Sequence, residues 1–219
     1  MNKAQIFLGG GGSVKMSFQL DEAFFSTLPY HARILYVPIA LRRNRIGYES
    51  CIDWFSELIA RHGDEKEIDF EIMIDDGEAV SFDACDAVYI GGGNTYHLLR
   101  YFRQIGMDQK LLAYYQAGGT IYGGSAGALI LGKDVRTVEE ENDRHDPHHA
   151  GLNLLGGMSL YCHYRESEPR DVQLSALTLK IGSPILALPE DSGIRWKNNH
   201  VDHIFGRAFM FDGQTRKAL

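Results

Sequence analysis

In this 219-residue chain, the run whose residue types and spacing point most directly to chemistry is Gly123-Gly124-Ser125-Ala126-Gly127. It has the form G-x-S-x-G, in which a serine occupies a strained turn between a strand and a helix. Thr120-Ile121-Tyr122 before it reads as a strand, and residues 128–131 after it read as an apolar helix. Small neighbours are needed because a bulky one would collide with the strand or the helix. The turn pushes the hydroxyl out at the carboxyl edge of the sheet, beside a helix amino terminus that favours negative charge. Nucleophilic attack by Ser125 is the chemistry implied, and a tight glycine-rich turn without catalysis is the plain alternative.

Gly91-Gly92-Gly93-Asn94-Thr95 forms a second loop after a strand. In a parallel α/β sheet, ligands bind beyond the carboxyl ends of the strands. Acyl transfer needs backbone N–H groups aimed at a developing oxyanion, and Gly92 with Ala126 could supply them. Asn94 is a candidate substrate contact in the same loop. A serine nucleophile also needs a base and an acid that orients it. Nine histidines are available, among them His31, His62, His97 and His163. His163 follows the apolar Leu160-Tyr161-Cys162 and Glu190 follows the apolar run 185–188, so both should emerge at strand carboxyl ends, on the rim of Ser125.

Two other chemistries fit less well. The dinucleotide pattern G-x-G-x-x-G fails, because its last position is Val14 counted from Gly9 and Tyr96 counted from Gly91, and no P-loop pattern is present. His145, His148 and His149, with Asp143 and Asp146, suggest a metal, but their spacing in a polar segment lacks the paired-histidine helix of zinc proteases. A solvated loop is expected there, with no metal.

The elements that must position these residues alternate along the chain. Strands read at 5–8, 33–37, 70–74, 87–90 and 120–122, and helical patterns read at 19–28, from Ile52 to Gly63, at 96–105 and at 109–117. Such alternation predicts an α/β fold, a mostly parallel, doubly wound sheet with helices on both faces. Strands near 160–162 and 185–188 flank a helix running from about Pro169 to Gly182. Residues 193–211 alternate apolar and polar side chains, which predicts antiparallel strands on one margin of the sheet. Residues 133–150 are polar throughout and read as a long loop or loose hairpin.

Composition sets the remaining bounds. Glycine makes up 24 of the residues, well above the usual ~7%, and half of these sit in clusters at 9–12, 91–93, 118–119 and 123–127. A net charge of −7 argues against nucleic acid as a partner, and no apolar run reaches the ~18 residues of a membrane span. The amino terminus has too short an apolar stretch for a signal peptide. Cys51, Cys85 and Cys162 read as free thiols, so the cytoplasm is expected. No linker or repeat interrupts residues 1–219, which predicts one domain.

Taken together, Gly123 to Ala128, the Gly-Gly-Gly-Asn-Thr loop, Gly151-Leu152-Asn153-Leu154-Leu155 before Cys162-His163-Tyr164, and Leu188-Pro189-Glu190 resemble the serine peptidases that group dipeptidase E (aspartyl dipeptidase) with cyanophycinase. The likeness runs from about Ala87 to Ile194, with the motifs in the family's order. It implies a fold related to class I glutamine amidotransferases, with serine in place of cysteine. It also implies a Ser125 nucleophile, a His163 base and Glu190 as orienting acid, with Glu140 as the rival third member. Arg170 stands about where dipeptidase E has an arginine, which implies a grip on an acidic substrate side chain. Gly124, where dipeptidase E has a bulky residue, and the histidine-bearing loop 133–150 depart from the family. A small peptide is the expected substrate, with no cofactor. Another amide, an isoaspartyl or cyanophycin-like linkage, an ester, or a non-catalytic binding role are the alternatives, and nothing in the sequence sets the assembly state.

Overall fold

Five short runs build the main sheet, four of them rich in apolar residues and one an acidic edge: β1 (Gln5–Gly9), β2 (His31–Val37), β3 (Glu67–Ile72, the edge), β4 (Ala87–Ile90) and β5 (Thr120–Gly124). The structure, a computed structural model, describes residues 4–42, 45–63, 65–74, 81–82, 84–138 and 147–219. The five strands are parallel, in the order β3-β2-β4-β5-β1. Parallel neighbours need crossover connections, which α1 (Phe18–Ser26), α2 (Glu49–His62), α3 (Thr95–Gln104) and α4 (Met107–Gln116) provide.

Strand side chains alternate between two buried faces. Ile6 and Leu8 of β1 join Leu98 and Phe102 of α3 and Leu111 of α4 on one face. On the other, Phe7 meets Phe24 of α1 edge-on at 5.6 Å, and Tyr36 of β2 stacks on Phe55 of α2 at 4.3 Å. Helices therefore cover both faces, as the alternation predicts. Each fully buried Phe or Leu contributes about 1.5–3 kcal/mol. The edge strand β3 exposes Glu67, Asp69 and Glu71 at alternate positions, which discourages pairing with another chain.

Beyond β5 the chain continues through α5 (Ala126–Leu129), β6 (Ser159–Tyr161), α6 (Glu168–Ile181) and β7 (Ile185–Ala187). Two hairpins follow, β8 (Gly193–Lys197) with β9 (His200–Phe205) and β10 (Phe209–Asp212) with β11 (Thr215–Ala218). The first hairpin extends the main sheet, β8 lying antiparallel to β1. The second does not: β11-β10-β7-β6 form a separate four-stranded sheet. One face of that sheet carries Ile185, Ala187, Phe209 and Phe211 against Leu174 and Ile181 of α6, while Leu160 and Leu186 enter the main core. The expected antiparallel margin holds for β8 and β9, whereas β10 leaves it for the second sheet, because strands this short carry no signal of which partner they pair with.

The helix after Ser125 also differs from its expected 128–131. It starts at Ala126, and the Leu131 and Gly132 N–H groups donate three residues back, to Ala128 and Leu129, which closes it after one turn. Residues 133–150 are joined at their base by an Asp134–Ala150 bridge and by Val135 N–H donating to His149 O. Glu140, Asp143, His145 and Asp146 lie outside the described residues.

Candidate active site

The carboxyl ends of β1, β4 and β5 all run into glycines, and this edge is where the candidate residues meet. Ser125 sits between β5 and α5 with φ +47° and ψ −111°, a conformation that costs a non-glycine residue about 1–3 kcal/mol. Close packing holds it there. A side chain on Gly127 would lie 2.2 Å from the Ile90 carbonyl oxygen, so only glycine lets the turn press against β4. The Ser125 N–H donates to Gly9 O at 3.2 Å, tying the turn to the end of β1.

Ser125 Oγ and His163 Nε2 are 2.9 Å apart, and His163 Nδ1 lies 3.0 Å from Glu190 Oε1. A carboxylate can only accept, so it selects the tautomer with the proton on Nδ1, and Nε2 is then left to accept from the serine O–H. His163 follows β6 at φ +56°, and Glu190 follows β7. Both therefore come from the second sheet, not from the sheet that carries Ser125. Of the other histidines, His31 pairs with Glu67 at 2.9 Å, and His62 stacks on Phe25. Arg165 reaches within 4.0 Å of Glu190 but is largely exposed, so solvent screens it.

The role of the first glycine run was not legible in the sequence. A side chain on Gly10 would lie 1.9 Å from Pro189 O, and one on Gly12 would lie 2.2 Å from Glu190 O. The Gly10 carbonyl accepts from His163 N–H at 2.9 Å, and its N–H donates to Ser192 O at 2.9 Å. This loop is the seam along which the second sheet's loops dock onto the main sheet. Four adjacent glycines after a strand were the available signal, but their partners lie about 150 to 180 residues away in sequence.

Gly92 is beside the serine: an added Cβ would be 3.2 Å from Ser125 Cβ and 3.9 Å from its Oγ. Among the described residues, neither the Gly92 nor the Ala126 N–H has a protein acceptor, and a first-turn N–H such as that of Ala126 has none within its own helix. Asn94 caps α3, its Oδ1 accepting from His97 N–H at 2.8 Å and from Arg42 Nη2 at 3.2 Å. Arg170 lies over the Tyr161 ring, 5.3 Å from its centroid, and donates to Gln173 Oε1 at 3.1 Å. A cavity of about 490 Å³ opens beside Ser125, Gly92 and Gly11, walled by Tyr36, Tyr89 and Trp54, and neither Asn94 nor Arg170 is among its lining residues.

A model of peptidase family S51 matches residues 6–204. The chain belongs to peptidase family S51. It is 25% identical over 177 residues to peptidase E of Streptomyces coelicolor, a stretch covering 77% of this chain and 69% of that one. To peptidase E of Shewanella oneidensis it is 28% identical over 141 residues, 60% of this chain and 59% of the relative's length. The crystal structure of a peptidase from an acI-B1 actinobacterium superposes with a TM-score of 0.70 at 17% identity, covering 99% of this chain and 94% of the other. At that identity the likeness speaks for the fold. Among the described residues, no three His, Cys, Asp or Glu side chains converge as metal ligands, and no helix is long and apolar enough to cross a membrane.

Behind the cavity lies a carboxylate that helical periodicity alone does not reveal. Asp21 of α1 is 1% exposed and accepts from Tyr122 O–H at 2.6 Å and from Ser17 O–H at 2.7 Å. Burial pushes its carboxyl up from 3.8 to about 6, against the opposing pull of those two hydrogen bonds. Because the folded value is raised, the folded state keeps a proton that the unfolded chain releases between about pH 4 and 6. Stability is therefore fully present below pH ~4 and declines as pH rises through ~6, by on the order of 3 kcal/mol. Urea unfolding of wild type and Asp21→Asn at four pH values from about 4 to 7 should show wild type losing about this much relative to the variant. A difference that stays constant over that range contradicts the assignment.

Proposed function

We propose that this S51 chain is a serine peptidase that hydrolyses small peptides through an acyl-enzyme. One observation carries the reading: the continuous contact from Ser125 Oγ through the His163 ring to Glu190, at a strained strand-to-helix turn. Ser125 Oγ attacks the scissile carbonyl carbon and its proton passes to His163 Nε2. Glu190 stabilises the imidazolium through Nδ1. The Gly92 and Ala126 N–H groups hold the oxyanion. Collapse of the tetrahedral intermediate breaks the C–N bond, and Nε2 returns the proton to the leaving amine. Water, deprotonated by the same nitrogen, then attacks the ester carbon and releases the acid, and Ser125 recovers its proton. No step draws on a metal or organic cofactor.

An aspartate preference would need a cation beside the acyl residue. Arg170 contacts Tyr161 and Gln173 and is not among the described residues lining the cavity beside Ser125, so no acidic preference is included in this proposal. The three free thiols fit a reducing compartment, the cytoplasm. The test is hydrolysis of a panel of dipeptides and amino-blocked short peptides, with amine release followed by mass spectrometry. Release from free dipeptides is expected, and no turnover of any peptide overturns the reading.

A further inference from the structure

The cavity beside Ser125 has an aromatic wall. Tyr36 and Tyr89 face each other across the β2–β4 pairing, and Trp54 of α2 completes an aromatic face with centroids 6.0 and 6.1 Å from theirs. Trp54 and Leu41, both lining residues, are 37% and 40% exposed. Large apolar side chains left in water around one concavity mark a site that another molecule covers. At about 490 Å³, the cavity lies within the ~300–1,000 Å³ range of small-ligand sites.

Its position and charge narrow what it can hold. Ser125 and Gly92 border it, whereas His163 and Glu190 do not. The imidazole must reach the leaving amine, so the cavity belongs to the other, acyl-supplying residue of the substrate. Among the described lining residues none is charged. The nearby carboxylate, Asp21, is shielded behind Tyr122 and Ser17, whose hydroxyls occupy its two oxygens. From the described lining residues an acidic side chain entering here would lose its water without gaining a cation, and a lysine or arginine would be desolvated without gaining a carboxylate.

We propose that this cavity is the acyl-side subsite and takes a bulky apolar or aromatic side chain, such as that of phenylalanine or leucine. The proposal rests on the serine peptidase reading. Its test is kcat/KM for Xaa-Ala dipeptides with Xaa as Phe, Leu, Ala, Asp or Lys, alongside the reversed Ala-Xaa series. Phe-Ala and Leu-Ala should exceed Ala-Ala by about tenfold or more, as expected for burying such side chains. The reversed series should vary by less than about threefold, well under one such burial. Trp54→Ala should cut the Phe-to-Ala ratio about fivefold or more, with Trp54→Phe restoring most of it, since an aromatic contact adds to the area buried. A flat Xaa-Ala series, a preference for Asp or Lys, or selectivity confined to the Ala-Xaa series overturns the subsite while leaving the peptidase reading intact. Failure to cleave any dipeptide, with Ser125 unreactive to a fluorophosphonate, overturns both.

Discussion

Ser125→Ala is expected to lose peptide hydrolysis by on the order of 10⁴- to 10⁶-fold in kcat, the scale seen when a triad nucleophile is removed. The substitution deletes one oxygen and its hydrogen bond to His163. It leaves the backbone turn, the Gly9 contact and the packing of Gly127 against β4 untouched. A single hydrogen bond is worth about 1 kcal/mol, so the melting temperature should move by no more than ~2–4 °C. Full activity in the variant would remove the mechanism, and a collapsed melting transition would mean that the loss of turnover came from the fold.

The second large effect concerns the base and its orienter. His163→Ala should cost on the order of 10⁴- to 10⁶-fold, because no other described histidine contacts the serine. Glu190→Gln should cost less, about 10²- to 10⁴-fold, since the amide can donate to Nδ1 and so favour the wrong tautomer. Glu140→Gln should stay within about threefold of wild type, as for a carboxylate outside the mechanism. The comparison is made on kcat, with circular dichroism confirming that each variant folds. If Glu140→Gln proved more damaging than Glu190→Gln, Glu190 would not be the orienting acid.

Why were some of these residues visible in sequence and others not? Ser125 stood out because its signal is local: five residues with a strand before and an apolar run after. His163 and Glu190 were placed by a short-range cue of the same kind, each trailing an apolar run. Local pattern says nothing about which sheet a strand joins, so the second sheet, whose β6 and β7 are three residues each, stayed hidden. Strand β3 begins at Glu67, earlier than the expected 70, because charges at alternate edge positions mask its apolar residues. Gly10 and Gly12 are needed for contacts with Pro189 and Glu190, a distance in sequence that no periodicity spans. Nothing in the sequence singles out Tyr36, Tyr89 and Trp54, because which aromatics face a cavity depends on packing between β2, β4 and α2. Asp21 falls in an amphipathic helix pattern, where a lone carboxylate reads as surface.

Activation of Ser125 is the central claim, and covalent labelling tests it whatever the substrate proves to be. The chain is incubated with a fluorophosphonate, and the adduct is located by peptide mass spectrometry. One equivalent of label on Ser125, lost in Ser125→Ala and strongly slowed in His163→Ala, is the result expected from the 2.9 Å contact between Oγ and Nε2. An unlabelled protein, or label on another serine that persists in Ser125→Ala, would contradict it.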